Sequence, residues 1–440
     1  LVVATSDMAA SSAQKYQYLN GFGNHHATEA LPDTLPVGQN NPQQCPRGLY
    51  AEQLSGTAFT APRAENQRSW LYRIRPSVVH KKFVKVENGM LNTDWSKASP
   101  NPSQLRWMPM KEPEGKVDFV QGLHTVGGAG DAATKTGLAV HLYVGNVGMG
   151  KKAMYNSDGD YLIVPQVGRL DIRTEMGCLE VFPGEIVVIQ RGIYFSIDLP
   201  DGFSRGYILE VFEGHFKLPE LGPIGANCLA NPRDFQAPVA AFVDEEVEWT
   251  VVNKFMGQLF EFKKPHCPFN VVAWHGNYYP YKYNLDLFCT IGSISYDHPD
   301  PSIFTVLTCP SAIHGTAVAD FVIFPPRWLV QEKTFRPPWF HRNCMTEYMG
   351  LIKGVYDAKE KGFVPGGSSL HSIGAAHGPE TAVFEKASTM DLAPQKLANT
   401  MAFMFESCYM FHLTQFAQEN NIDEEYWECW QDLKKHFKAD

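Results

Sequence analysis

The sequence predicts a mainly β protein made of two β-barrel-like or sandwich-like halves, with helices at its C-terminal end. Thirty prolines and 36 glycines are spread widely along the 440 residues, which is typical of many short segments joined by turns. Hydrophobic residues make up 44% of the chain and aromatic residues 12%, so there is ample material for a buried core. A chain of this length normally divides into two domains.

The N-terminal domain is expected to span residues 1–285. Turn-forming residues dominate as far as about residue 65, and we expect this region to be mostly irregular. A first strand is indicated at 69–78, with the sequence SWLYRIRPSV. Between 138 and 212, short apolar runs alternate with glycine and Pro-Gly turns, which is the spacing of a sandwich or barrel.

The C-terminal domain is expected to span residues 286–440. Its first part contains the strand-like segments DLFCTIGSISYDH, SIFTVLTCPS and VADFVIFPPRW. The last 50 residues have a different pattern, since 395–419 and 423–437 show helical periodicity. The second of these segments has acidic residues in its first turn and Lys and His in its last, as a helix dipole favours. We therefore predict C-terminal helices that close the two β halves.

Charge and cysteine usage restrict the class of protein and its compartment. The formal net charge of −9 predicts no nucleic-acid partner, because binding a phosphate backbone needs a basic surplus. Nine scattered cysteines without a C-x-x-C pair indicate free thiols in a reducing compartment. No apolar run approaches the roughly 18 residues of a membrane span. We therefore expect a cytoplasmic protein with no membrane partner.

His341 and Glu347 form the most informative pair in the sequence. Side chains alternate along a strand, so a separation of six residues places both on one face. Six residues of a helix turn through about 600° and leave them on different faces. The preceding Pro337-Pro338 favours a strand. One imidazole and one carboxylate are two of the three ligands in a 2-His-1-carboxylate metal site. The competing interpretation is a charged pair at a strand end.

A third ligand has to come from another strand. The segment VPGGSSLHSIGAAHGPE contains His371 and His377 among small residues, and spacing alone does not choose between them. Histidines in a solvent-facing loop are the alternative interpretation. His298 lies between acidic residues and prolines, where it suits either a general base or a turn-stabilising side chain. A triad of this type leaves Fe(II) three adjacent open positions, although zinc accepts the same ligands.

Several long motifs give the sequence a recognisable family resemblance. These motifs are EQLSGTAFTAPR (52–63), RSWLYRI (68–74), YNSDGDYLIVPQ (155–166), GPIGANCLANPRDF (222–235), NVVAWHGNYYPYKYNL (270–285), HRNCMTEYMGLIKGVYDAK (341–359) and GFVPGGSSLHSIGAAHGPE (362–380). From about residue 16 to its C-terminus, the chain resembles the homogentisate 1,2-dioxygenase family.

The resemblance implies a two-domain, cupin-like all-β fold and a cytosolic enzyme that requires Fe(II). It implies that homogentisate and O₂ are the substrates and that ring cleavage yields 4-maleylacetoacetate in tyrosine and phenylalanine catabolism. It also implies a homo-hexamer, assembled as a dimer of trimers. The iron ligands carried over from the family motif are His341, Glu347 and His377.

The remaining site residues also follow from the resemblance. It gives His298 the role of proton acceptor near the substrate hydroxyl. Tyr356 and His377 are expected to contact the substrate, and His371 to line the pocket. The group that receives the substrate carboxylate is left open among Arg336, Arg342 and Lys353, which are close in sequence.

The sequence departs from the general cupin motif at one position. That motif reads His-x-His before its glutamate, whereas this chain has Asn343 in place of the second histidine. In the N-terminal half, SDGDYLIVPQVG has no histidine at the matching place, so we expect no metal there. Two other function classes remain as alternatives: a zinc- or manganese-dependent cupin isomerase, and a metal-free binding protein.

Overall fold

The computed structural model describes residues 14–38, 42–220, 229–292, 300–359 and 362–439. Strands dominate these residues and helices are few and short, so the prediction of a mainly β protein is confirmed. Within the described residues, no helix is long and apolar enough to cross a membrane.

Most of the strands lie before residue 285. They are β1 Tyr18–Asn20, β2 His26–Glu29, β3 Tyr50–Ser55, β4 Arg68–Arg73, β5 Val84–Val86, β6 Leu105–Trp107, β7 Leu123–Asp131, β8 Thr136–Gly145, β9 Lys152–Asn156, β10 Asp160–Val167, β11 Leu170–Thr174, β12 Gly177–Val181, β13 Glu185–Ile189, β14 Phe195–Asp198, β15 Ser204–Val211, β16 Gln236–Pro238, β17 Trp249–Phe255, β18 Gln258–Lys264, β19 Val271–Gly276 and β20 Tyr281–Asn284. Strands β1 to β3 lie in the region that was expected to be mostly irregular.

The part after residue 285 contains strands and all of the described α-helices. The strands are β21 Thr305–Pro310, β22 Ala317–Phe324, β23 Arg327–Leu329, β24 Thr346–Lys353, β25 Ser368–His371, β26 Gln395–Leu397, β27 Met401–Ser407 and β28 His412–Leu413. The helices are α1 Thr381–Thr389 and α2 Gln415–Glu419. A 3₁₀ turn follows at Tyr426–Trp430.

A nine-stranded sheet forms the middle layer of the molecule, with the order β1-β16-β20-β13-β10-β15-β8-β7-β28. Strand β10 shows why both of its faces are covered. Leu162 and Val164 belong to one apolar cluster, whereas Tyr161 and Ile163 belong to another. Successive side chains of a strand point to opposite faces, so a continuous apolar run is what a strand buried on both faces requires.

The first of these clusters joins the middle sheet to a six-stranded sheet with the order β21-β22-β27-β24-β25-β6. The second cluster joins it to a seven-stranded sheet with the order β12-β11-β14-β9-β17-β18-β5. A four-stranded sheet, β2-β19-β4-β3, and the pair β23-β26 complete the described sheets.

Each half of the chain contributes a strand to a sheet of the other half. Strand β6, at Leu105–Trp107, pairs with β25 in the six-stranded sheet. Strand β28, at His412–Leu413, pairs with β7 at the edge of the nine-stranded sheet. The apolar cluster between these two sheets also includes residues from both halves. We refer to this arrangement as the strand exchange. The domain boundary at 285/286 stays a prediction.

The helical interpretation of residues 395–413 is wrong. Residues 401–407 form β27, a strand at the middle of the six-stranded sheet, where Met401 to Phe405 are all buried. A continuous apolar run fits a buried helix and a strand covered on both sides equally well. The segment 423–437 has only the 3₁₀ turn at Tyr426–Trp430 where an α-helix was expected. The C-terminal helices of the fold are α1 and α2.

Candidate metal centre

Three side chains that could hold a metal ion converge at one end of the six-stranded sheet: His341, Glu347 and His377. One ligand atom from each lies within 4.8 Å of the others. The Nε2 atom of His341 is 3.3 Å from Oε1 of Glu347, and the Nε2 atom of His377 is 3.0 Å from Oε2. The structure thus brings together residues as far apart in the sequence as His341 and His377.

The orientation of both imidazoles is fixed by backbone carbonyl groups. Nδ1 of His341 is 2.9 Å from the carbonyl oxygen of Trp339, and Nδ1 of His377 is 2.9 Å from that of Ala375. A carbonyl oxygen only accepts, so each Nδ1 carries a proton, and Nε2 is the nitrogen left to face Glu347. Both Nε2 atoms lie within 3.3 Å of the Glu347 carboxylate, so a proton or a metal ion is needed between each nitrogen and the carboxylate. The residues present therefore fit a bound metal ion.

The backbone around the ligands holds them at a fixed separation. His341 and His377 form an isolated antiparallel bridge in which each amide donates to the carbonyl of the other, at 2.9 and 3.0 Å. Asn343 donates from Nδ2 to Oε1 of Glu347 at 2.7 Å. The asparagine that replaces a cupin histidine therefore orients the carboxylate by hydrogen bonding.

His341 and Glu347 were predicted to lie on one continuous strand, and this part of the prediction is wrong. Strand β24 begins at Thr346 and includes Glu347, but His341 lies before it on the bridge to His377. The two side chains nevertheless converge, because the intervening residues turn the chain back toward the sheet.

Electrostatics at the centre favour a cation. Burial opposes ionisation of Glu347, but hydrogen bonds from His341 and His377 hold the pKa of its carboxyl well below the usual range. The hydrogen bond to Glu347 raises the pKa of His341. When no metal ion is bound, a proton takes the position of the cation between these groups.

His371 lies next to these three residues, as the cross-strand neighbour of Glu347. Its ring stacks on that of His377, with centroids 4.0 Å apart and planes at 12°. Its Nε2 atom is hydrogen-bonded to the hydroxyl of Tyr426 at 2.9 Å, and its buried Nδ1 atom has no partner among the described residues. Burial and the neighbouring His377 and Lys359 lower the pKa of His371 well below its usual value.

A cavity of about 560 Å³ opens beside the three ligands. Its volume lies in the range of cavities that bind small molecules. Tyr356 is part of its wall and is buried against Phe324 and Phe363. Burial raises the pKa of Tyr356 well above its usual value, so its hydroxyl stays protonated.

Glu406 also lines this cavity, as the cross-strand neighbour of Glu347 on β27. Burial and the adjacent charge of Glu347 raise the pKa of Glu406 to about 7. The carboxyl therefore changes its protonation state near neutral pH, which distinguishes it from Glu347.

Lys359 is a buried cation that the sequence did not identify as a candidate. It lines the cavity, its side chain is 6% exposed, and its ammonium group has no hydrogen-bond partner in the described part of the chain. The ammonium lies 4.6 Å from the ring centroid of Tyr426 and 4.1 Å from that of Trp430. Burial lowers the pKa of Lys359 to about 8.

The structure places the other predicted site residues as follows. His298 lies outside the described residues. Arg336 and Arg342 line the cavity, but Arg336 donates to the backbone carbonyls of Gln331 and Ala393. Lys353 is exposed and lies 3.7 Å from Asp286.

Three residues of the site were missed in the sequence: Lys359, Glu406 and Tyr426. Lys353, six residues before Lys359, was considered as the group that receives the substrate carboxylate. The sequence alone does not show which of the two lysines is buried, so Lys359 could be preferred only from the fold. Glu406 and Tyr426 lie in segments that were interpreted as helices. The aromatic pair Tyr426 and Trp430 in EYWECW was the one local feature that could have directed attention to this segment.

Comparison with known proteins gives matches along nearly the whole chain. The family model described as homogentisate 1,2-dioxygenase N-terminal matches residues 17–285, and the one described as homogentisate 1,2-dioxygenase C-terminal matches residues 286–437. Homogentisate 1,2-dioxygenase from Caenorhabditis elegans is 59% identical over 434 residues, which cover 97% of this chain and 99% of the relative. The enzymes of that name from Dictyostelium discoideum and Homo sapiens are 58% and 57% identical, and cover 96% of this chain and 98% and 97% of their own lengths.

Matches to solved structures are more distant. A cupin 2 conserved barrel domain protein from Leptotrichia buccalis aligns with a TM-score of 0.30 and 9% identity, covering 70% of this chain and 92% of that chain. A match at this score adds nothing to the fold described above.

Proposed function

Because the chain belongs to the homogentisate 1,2-dioxygenase family, we propose that it cleaves the aromatic ring of homogentisate with O₂. The product is 4-maleylacetoacetate, and the reaction belongs to tyrosine and phenylalanine catabolism. Both atoms of O₂ enter the product, so no external reductant is needed.

The observation that carries the proposal is the orientation of the ligating groups. Two Nε2 atoms and the Glu347 carboxylate face one point, and both imidazoles are fixed by backbone carbonyls. We propose His341, Glu347 and His377 as the metal ligands and Fe(II) as the metal. Two neutral imidazoles and one carboxylate are the ligand set of non-haem Fe(II) oxygenases. When bound, the metal supplies a site at which electrons pass between the substrate and O₂.

The residues around the cavity provide the other functions that the substrate needs. Homogentisate carries a carboxylate, and Lys359 offers a buried ammonium group that lines the cavity. Binding the carboxylate there satisfies a cation that otherwise lacks a hydrogen-bond partner among the described residues. Tyr356 contacts the substrate ring from the cavity wall. His298 is proposed to accept the proton of the substrate hydroxyl, with His371 lining the pocket and His377 contributing the metal-side contact.

Oxygen uptake tests the proposal directly. The metal-free protein is loaded anaerobically with Fe(II) or with Zn(II), and homogentisate is then added in oxygenated buffer. We expect one O₂ per homogentisate with iron and none with zinc. With ¹⁸O₂, both labelled atoms should appear in the product. No uptake by protein whose iron content is confirmed contradicts the proposal and favours the isomerase alternative.

Assembly and location are further parts of the proposal. The family resemblance supports a homo-hexamer built as a dimer of trimers, in the cytoplasm. It also supports two domains, 1–285 and 286–440, and the two family models meet at the same residue. Sedimentation velocity of the iron-loaded protein tests the hexamer, since a single species of monomer or trimer mass would contradict it.

A further inference from the structure

The C-terminal 3₁₀ turn at Tyr426–Trp430 lies against the candidate metal centre. We propose that Tyr426 is a positioning residue for ring cleavage. It holds the imidazole of His371 in the tautomer that carries its proton on Nδ1, so that His371 donates a hydrogen bond to an oxygen atom of the molecule in the cavity. The proposal rests on the proposed function and adds a residue to it.

The direction of the hydrogen bond follows from the partners available. The Tyr426 hydroxyl is buried, and its hydrogen-bond partner in the described structure is Nε2 of His371, at 2.9 Å. If Nε2 carried the proton and donated it, the phenol would keep an O–H group with no acceptor. A buried donor without an acceptor is costly. The phenol therefore donates, Nε2 accepts, and the proton of the neutral ring is on Nδ1.

The surroundings of the phenol ring favour donation as well. The guanidinium group of Arg106 lies 4.4 Å from the centroid of the Tyr426 ring, and the ammonium group of Lys359 lies 4.6 Å from it. Cations near an aromatic ring are attracted to its π face, and they withdraw electron density from the hydroxyl. Withdrawal makes the O–H group a stronger donor and the oxygen a weaker acceptor.

The other end of the imidazole is left with an unused donor. Nδ1 of His371 is buried and has no hydrogen-bond partner in the part of the chain that the structure describes, although His371 lines the cavity. Stacking on His377 at 12° restricts rotation of the ring out of its plane. An unsatisfied buried donor at a cavity wall is a group that a ligand oxygen can satisfy.

The first test reads the tautomer without using activity. The protein is labelled with ¹⁵N in its histidine rings and loaded with Zn(II), and the His371 signals are assigned by their loss in His371→Asn. We expect a protonated Nδ1 and an unprotonated Nε2 in the native protein. In Tyr426→Phe, both nitrogens should move toward the average of the two tautomers. A native protein with its proton on Nε2 overturns the proposal.

The second test measures turnover by the iron-loaded protein. Tyr426→Phe should lower kcat about tenfold, the size expected for one hydrogen bond, with the iron content unchanged. Tyr279→Phe is the matched control, because it removes a buried hydroxyl that is 2.9 Å from the Asn24 carbonyl in the other half. This control should keep the native kcat.

A double-mutant cycle asks whether Tyr426 acts through His371. The amide of His371→Asn needs no tautomer control, so adding Tyr426→Phe to it should cause no further loss of kcat. Additive losses, or a Tyr426→Phe variant as active as Tyr279→Phe, overturn the proposal. A native protein that is inactive with homogentisate overturns the proposed function instead, and the NMR result then still decides the tautomer.

Discussion

Glu347 is the residue on which the proposed metal centre depends most. Both ligand histidines and Asn343 make hydrogen bonds to its carboxylate, and burial leaves little water to replace them. Its negative charge offsets the positive charge of a divalent ion, which the neutral imidazoles cannot do. Removal of the charge should therefore affect metal binding before it affects the fold.

We expect Glu347→Gln to retain less than about a tenth of the native iron and to lose turnover in proportion, because the anionic ligand is absent. Far-UV circular dichroism should be unchanged. Iron is measured by metal analysis after gel filtration. Glu385→Gln is the matched control, since Glu385 also lies 3.0 Å from a histidine, His436, but on the surface. Native iron content in Glu347→Gln would contradict the assignment.

The lowered pKa of Lys359 leads to a prediction of how the affinity for homogentisate depends on pH. Burial lowers its pKa to about 8 from a usual value of 10.5, so the ammonium form that attracts a carboxylate is present below pH 8 and is lost above it. KM for homogentisate should therefore be low near pH 7 and rise as the pH increases through 8.

Substitution of Lys359 separates charge from packing. Lys359→Met should raise KM at pH 7 by about 10- to 100-fold, the range for a charged hydrogen bond, and should remove the alkaline rise. Lys359→Arg stays charged at every accessible pH and should keep a lower KM without that rise. The measurement is KM between pH 6.5 and 9.5, and a Lys359→Met profile like the native one would assign the carboxylate to another residue.

The residues differ in how far the sequence could reveal them. The segments around His341, Glu347 and His377 are rich in glycine and proline, where polar side chains stand out, but only the family resemblance indicated His377 rather than His371. The roles proposed for Lys359 and Tyr426 depend on contacts between distant segments, such as the bond from Tyr426 to His371. No local pattern encodes such a contact, so these roles could be identified only from the structure.

At the scale of elements, buried strands were predicted well where turns separate them. Strand β10 follows a glycine and an aspartate and was correctly included in a β region. Strand β27 was not, because its run MAFMFES continues into further apolar residues without a Gly or Pro to divide them. Apolar periodicity cannot distinguish a helix from a strand that is covered on both faces. Whether such a run becomes a helix or a strand depends on the neighbouring strands with which it can pair.

Strand β24 tolerates no side chain at Gly350. A Cβ atom there would lie 2.4 Å from two ring atoms of Phe403 on the adjacent β27. Gly350→Ala should therefore lower the free energy of unfolding by about 1–3 kcal/mol, as overpacking does. Urea denaturation measures the change. In the control Gly115→Ala, a Cβ would have no atom within 4 Å, and equal stability losses in both variants would contradict the explanation.

At the scale of the whole molecule, the strand exchange joins the two halves. Strand β6 completes the six-stranded sheet and β28 extends the nine-stranded sheet, with one apolar cluster between these sheets. Neither half has all the strands of its own sheets. The chain should therefore unfold as one cooperative unit.

Separate production of residues 1–285 and 286–440 tests this unity. Each fragment leaves its own part of the shared apolar cluster exposed, so we expect both fragments to aggregate or remain unfolded, and the two produced together to form an iron-binding complex. Calorimetry of the intact chain should show a single transition. Two resolved transitions, or a stable fragment 286–440 that binds iron, would show that the halves fold independently.

The strand exchange also bears on how a change at a single codon of the gene would act. Arg106 lies far upstream of every candidate ligand, yet it is ion-paired with Asp423 at 2.8 Å and packs over the ring of Tyr426. A missense allele at this codon should behave as a defect of the catalytic centre as well as of folding. The effect of a substitution in this protein is therefore better judged from the residues that it contacts across the sheets than from its distance to the ligands along the coding sequence.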